Sequence, residues 1–509
     1  MFVFKLITAM TFTIITACQS PADKSAVAAE PTHKPVIQAK SAAVKPEERT
    51  QSVKEVKEDL PKKIPEPVTA IDSEVLYLLL TGETALQRDQ YPIALEAYLA
   101  AAKRVNDARI AEKAARIAVY LANLPKTKIA VSLWLAKDPN NVTARQIALS
   151  TALNDKNQSL FIEHLAMILN SNPVAFEETL SEMPKAIQKS TDIPFIDQSL
   201  EVLAKQYPQK AIIFLTQAVL ATKQNKINIA LEKTQYALKL QPNWEKAIEL
   251  ETKLWKYLGG TFFKNKQYSE AINAFEKIKQ GPLAFEAELS IVSALIEQQQ
   301  WMEADQRLDA LLAENTDSDH QAQILVMKAE IYSQQKNYSK AITLLTQGLE
   351  NTPDHRELLY ARALIAEKMN RFDQLEADLQ KILIKNPKDV GALNALGYSL
   401  VEYTTRYQEA ENYLQQALKL QPEDAVIIDS YGWLQFKKGD LPNALKYLQS
   451  AHKKLAESEI TAHLAEVLWI LGRKKEAEQL IVAAIKQYPN DEFLLKFQDR
   501  FLKNSVVQP

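Results

Sequence analysis

Glycine is scarce, with 10 in 509 residues, and cysteine is almost missing, with Cys18 alone. A single cysteine excludes an internal disulfide framework, and its place near the N-terminus leaves no cysteine for nucleophilic chemistry further along. No loop is built to cradle a phosphate. Gly259-Gly260 lies inside a helical pattern and lacks the Lys-Ser/Thr partner such a loop needs. The six histidines (His33, His164, His320, His355, His452 and His463) form no H-E-x-x-H or other metal spacing. His463 and Glu466 lie three apart on one helix with no third ligand in view, which reads as a structural or solvated role. There is no Gly-x-Ser-x-Gly elbow. Neither sign of charge prevails: the net charge is −2 and the pI about 6.4, so electrostatics give no case for nucleic acid. The sequence therefore leads to no enzyme, no metal and no cofactor.

A mostly apolar run, Leu6 to Ala17, follows Lys5 and is too short for a membrane-spanning helix, which needs about 20 residues. It suits the apolar core of a secretory signal, and the next residue is Cys18. From Gln19 to Ala70 there are seven prolines, eight lysines and no aromatic residue. Such a segment cannot bury enough apolar surface to offset its ordering entropy and reads as a disordered spacer. Its interspersed glutamates, Glu47, Glu48, Glu55 and Glu58, argue against a basic patch.

What the chain has in quantity is Ala, Leu, Lys, Gln and Glu, all strong helix formers, and a period. Prolines recur at Pro139, Pro173, Pro208 and Pro242 with gaps of 34, 35 and 34, and at Pro353, Pro387, Pro422 and Pro489 with gaps of 34, 35 and 67. A helical period of 34 is the signature of the tetratricopeptide repeat (TPR), a pair of antiparallel helices A and B. Trp255, Leu258, Gly259, Phe262, Ala271 and Phe275 occupy its consensus places. So do Leu393, Leu396, Gly397, Leu400, Ala410 and Leu414, with one extra residue in the inter-helix turn. Small residues at the eighth and twentieth places let helices A and B approach, and the proline closes helix B. Pro92 and Pro442 sit instead just inside a helix B, where a missing N–H costs nothing. The expected fold is all-α, a right-handed superhelical TPR solenoid of about 12 hairpins. The stretch 140–210 matches the consensus badly, and its two hairpins rest on proline spacing and apolar periodicity. The expected organisation is a signal over 1–17, Cys18 and tether over 18–70, repeats over 71–491, and a capping helix and tail over 492–509.

TPR grooves bind extended peptides or helices along helix A. Places two, five, nine, twelve and thirteen point inward. In the C-terminal units these put Tyr360, Tyr398, Asp429, Trp433, Phe436 and Trp469 on or beside the groove, and Tyr and Trp are common binding hot spots. The other reading of these side chains is burial between hairpins. No unit pairs Lys at place five with Asn at place nine, the set that clamps a peptide carboxylate.

Ile15-Thr16-Ala17-Cys18 resembles a bacterial lipobox. The resemblance implies cleavage before Cys18, lipidation of Cys18, and, since Gln19 follows instead of Asp, the periplasmic face of the outer membrane. The repeats resemble one group more closely. The residues are Leu359-Tyr360-Ala361-Arg362-Ala363, Asn394-Ala395-Leu396-Gly397-Tyr398, Asp429-Ser430-Tyr431-Gly432-Trp433 and Ala462-His463-Leu464-Ala465-Glu466. These are similar to the LbcA-like outer-membrane TPR lipoproteins of gammaproteobacteria. That likeness implies an adaptor that binds a periplasmic carboxy-terminal processing protease and presents substrates such as cell-wall hydrolases. The competing expectation is an assembly factor for an outer-membrane pore or pilus machine.

Overall fold

The computed structural model describes residues 72–187 and 189–502. The lipobox, Cys18 and the tether lie outside the described residues. Among those described there are helices and no strand, and no helix is long and apolar enough to cross a membrane. The chain divides into two compact units between Leu254 and Trp255.

The first unit holds α1 (Ser73–Gln87), α2 (Tyr91–Arg104), α3 (Ala108–Tyr120), α4 (Leu124–Lys137), α5 (Val142–Asn154), α6 (Gln158–Ser171), α7 (Pro173–Ala186), α8 (Ile193–Gln206), α9 (Ala211–Lys223) and α10 (Ile227–Leu240). The unit boundary falls within α11 (Glu245–Lys264). The second unit continues with α12 (Tyr268–Phe275), α13 (Ala284–Glu297), α14 (Trp301–Glu314), α15 (Ser318–Gln334), α16 (Tyr338–Asn351), α17 (Arg356–Lys368) and α18 (Phe372–Lys385). It ends with α19 (Val390–Tyr403), α20 (Tyr407–Leu420), α21 (Ala425–Lys437), α22 (Leu441–Lys454), α23 (Ser458–Ile470), α24 (Lys474–Gln487) and the short α25 (Glu492–Phe497). Odd-numbered helices up to α23 are helices A and even-numbered ones helices B.

Close approach within hairpins comes from small residues. A Cβ added to Gly397 on α19 would stand 2.6 Å from Leu414 Cγ on α20. One added to Gly432 on α21 would stand 2.9 Å from Leu448 Cγ on α22. The alanines facing them from helix B, among them Ala94, Ala230, Ala341, Ala410, Ala444 and Ala477, are wholly buried. Many helix starts carry side-chain caps: Asn123, Asn141, Asp317, Asp389 and Asp424 all accept a backbone N–H of the first turn, whereas Asp192 before α8 makes no such bond. The proline ladder closes helices B one residue past the cap, as at Asp138-Pro139, Asn386-Pro387 and Gln421-Pro422. Pro92 and Pro442 stand in the first turn of α2 and α22.

The A-to-B turns share one closure. After α1, α3, α5, α9, α11, α13, α15 and α17 a residue other than glycine takes positive φ, from Asp89 (55°) to Asn370 (56°); Gly439 and Gly472 do the same after α21 and α23. The next N–H returns to a carbonyl five residues earlier, as Asn123 N to Ala118 O (2.9 Å) and Arg371 N to Ala366 O (2.8 Å). This is a Schellman closure, which satisfies carbonyls the helix end leaves free. Two turns depart from it: after α7 the cap residue Ile187 is extended, and after α19, with its extra residue, Thr404 is extended.

One hairpin expected in 140–210 differs from the others. α7 and α8 make little direct contact, and each packs on α6 and α9. The places where a small pair permits approach elsewhere hold Met183 and Phe195. Both side chains are partly buried against the core of this unit, Phe195 edge-on to Phe161 at 5.5 Å, and neither is small enough to permit the close approach that Gly or Ala gives elsewhere.

Candidate functional site

In the second unit, successive helices A pack side by side, α15 on α17, α19 on α21, and α21 on α23. Residues one period apart therefore become neighbours. This register places Asp429 of α21 beside His463 of α23, with His463 Nδ1 donating to Asp429 Oδ2 at 2.9 Å. Both side chains are buried, at 4% and 5% exposure. The His463 ring stacks on Trp433, centroids 4.0 Å apart and 16° from parallel. Trp433 in turn stacks on Phe436 at 4.8 Å and donates from Nε1 to Glu402 Oε2 at 2.9 Å. Tyr398 Oη donates to Glu459 Oε1 at 2.8 Å, and Lys437 pairs with Glu402 at 3.2 Å.

Burial opposes a charge on His463. The hydrogen-bonded Asp429 and nearby Glu459 and Glu402 outweigh it, so the imidazole is held above its ordinary value. Glu459 is also raised, by burial and by the charge of Asp429, against the pull of His463 and the Tyr398 hydrogen bond. Burial pushes the Tyr398 phenol well above its usual range. An aromatic and acidic cluster thus lies beneath the helix-A surface, with a readily protonated histidine at its centre.

Above it opens a cavity of about 140 Å³ between α17, α19, α21 and α23. Its walls include Tyr360, Tyr398, Ala395, Val390 and Ile460, and its polar lining includes Asn394, Asp429 and Glu459. The Asp429 Oδ1 and Asn394 Oδ1 atoms are buried and have no hydrogen-bond partner in the protein. Among the described residues, no group of three or more His, Cys, Asp or Glu is arranged to hold a metal.

Of the residues singled out in sequence, Tyr360, Tyr398 and Asp429 meet at this cavity. Trp433 and Phe436 stand in the stack beside it, and neither lines it. Trp469 is placed elsewhere, against Phe497 of α25 (6.0 Å) and Phe501 (5.6 Å). Tyr360 carries the Arg356 guanidinium over its ring at 5.2 Å. That arginine is held in a fork by Asp389, with Nε 2.8 Å and Nη2 3.1 Å from the two carboxylate oxygens. Sequence reasoning missed Asn394, Glu402 and Glu459. Of the two residues read as structural or solvated, His463 is buried against Asp429, and Glu466 bonds Arg500 at 2.7 Å. The signal that finds the partner of His463 is the period, since Asp429 and His463 lie 34 residues apart.

A tetratricopeptide-repeat family model matches residues 289–356, 399–458 and 431–492. The fold is that of a TPR array. A TPR repeat-containing protein of Pseudomonas aeruginosa is 27% identical, over 79% of this chain and 84% of its own length. Yeast Tom70 aligns in structure at 13% identity and a TM-score of 0.42, covering 85% of this chain and 96% of Tom70. PilW, a type IV pilus biogenesis factor, aligns at 18% identity and a TM-score of 0.35, covering 42% of this chain and 99% of PilW. TPR arrays are typically non-catalytic scaffolds that bind other proteins along their stacked helices.

Proposed function

We propose that this TPR protein is an adaptor, anchored to the outer membrane through a lipid on Cys18. It binds a periplasmic carboxy-terminal processing protease and brings it substrates such as cell-wall hydrolases. The observation that carries a binding role is the cavity on the helix-A side, walled by tyrosines and including in its lining Asn394 and Asp429, each with a buried oxygen that has no partner. It has the apolar walls and few convergent polar groups expected of a recognition pocket. The protease and the anchor rest on the sequence resemblances at residues 15–18 and through the C-terminal repeats. The test is affinity capture of the mature protein from a cell envelope, followed by mass spectrometry. A carboxy-terminal processing protease should be recovered with it. Recovery of pore or pilus components without a protease contradicts the reading. Replacing Cys18 with Ser should release the protein from the membrane fraction; unchanged processing and membrane association would remove the anchor.

A further inference from the structure

The cavity has a chemical polarity of its own. Its lining holds three carboxylates, Asp424, Asp429 and Glu459, and no lysine or arginine. Asp424 is already engaged, because its Oδ1 caps α21 by accepting from Val426 N and Ile427 N. Asp429 is different. It is 4% exposed, its Oδ2 is taken by His463, and its Oδ1 has no partner. Asn394, one helix A away, presents an amide oxygen in the same condition. A buried carboxylate oxygen left unpaired is costly, and one at a cavity wall is relieved by a donor that enters.

His463 occupies Oδ2, and Arg356, at the Tyr360 wall, does not serve as the donor to Oδ1. Arg356 is committed to Asp389 through two hydrogen bonds and lies over Tyr360. Tyr360 and Tyr398 supply aromatic surface at the wall, which favours a cation. Charge, acceptor placement and aromatic walls agree on one kind of ligand.

We infer that this cavity receives a positively charged side chain, lysine or arginine, of a partner polypeptide, with the Asp429 carboxylate and the Asn394 carboxamide at its wall accepting its N–H groups as the side chains adjust to it. This rests on the reading of the helix-A face as a protein-binding surface, and names what that face selects. Charge-assisted hydrogen bonds to a desolvated carboxylate are the strong class of such contacts. The apolar walls, Val390, Ala395 and Ile460, suit the methylene stem of either residue.

The test is selection of a displayed random dodecapeptide library on the full chain, followed by affinity measurement of the enriched peptides. The selected peptides should carry Lys or Arg at one fixed position. Changing that residue to norleucine should weaken binding about 10- to 100-fold, the loss expected for a charge-assisted hydrogen bond. Asp429→Asn should give a loss of similar size. Because Asp429 also holds His463, Asn394→Leu provides a second variant: Asn394 makes no hydrogen bond through Oδ1, and an unfolding midpoint equal to that of the unaltered chain establishes that its loss of binding comes from the blocked cavity. Peptides that bind without a conserved basic residue, or whose affinity ignores both variants, overturn this inference and leave the binding role standing. A library from which nothing binds overturns both.

Discussion

At the residue scale, the Asp429–His463 pair links acidity to both stability and recognition. His463 has a folded pKa above its ordinary value of 6.5. Its contribution to stability is therefore fully present below that value and is lost as pH rises through the folded pKa. Glu459, raised from 4.5, acts in the same direction, since its buried carboxylate becomes charged as pH climbs. Urea unfolding of the C-terminal repeats should show a lower midpoint at pH 8.5 than at pH 6. His463→Gln should flatten the part of that slope above pH 6.5; a profile identical to that of the unaltered protein contradicts the assignment. The groups facing His463 are Asp429 on α21, Glu402 on α19 and Glu459 on its own helix. Lys437 is engaged by Glu402. Loss of protons from His463 and Glu459 makes the cavity more negative, so a basic peptide should bind more tightly at pH 8 than at pH 6, opposite in sign to the stability trend.

At the element scale, glycine and alanine have exchanged their customary places. Gly397 is inside a helix, where alanine is better by about 1 kcal/mol on propensity alone. Its missing Cβ is what admits Leu414, whose Cγ would stand 2.6 Å away and is a branch point close to the backbone. Overpacking of that kind costs about 1–3 kcal/mol, so the clash wins and Gly397→Ala should lower the unfolding midpoint. Ala122 is the reverse case. It holds φ at 50° in the turn after α3, a conformation that costs an L-residue about 1–2 kcal/mol and glycine almost nothing. Ala122→Gly should therefore stabilise the first unit by roughly 0.5–1 kcal/mol, less than the strain removed, because glycine also gives the unfolded chain more freedom. Chemical denaturation of the two variants reads both signs.

The same scale explains what was legible. Pro139, Pro387 and Pro422 end helices because proline cannot continue one, and that constraint acts within a few residues, so the period and the helices can be read directly. The left-handed turns were hidden because Asp89, Lys156 and Gln299 fill them instead of glycine. The loosening of α7 against α8 was visible only as a weak match, since Met183 and Phe195 report on packing that depends on both helices at once. Tyr360, Tyr398 and Asp429 were found from their places on helix A, which one repeat determines. Glu459 and Asn394 belong to the cavity only because four hairpins stack in register. The bond from Tyr398 to Glu459 spans 61 residues.

At the scale of the whole molecule, the account is of a scaffold whose chemistry is recognition. Arrays of this kind bury each hairpin against its neighbours and present rows of helices to partners; in the second unit the row of helices A carries the acidic, tyrosine-walled cavity. An adaptor of this kind should act on its protease by mass action, raising the local concentration of substrate. The most direct measurement mixes the purified mature chain, a carboxy-terminal processing protease from the same envelope and a cell-wall hydrolase, and follows degradation of the hydrolase against time. The account predicts that degradation accelerates when the chain is present and that the chain and the protease migrate together in size-exclusion chromatography. Degradation at the same rate with and without the chain, together with separate migration, would contradict it.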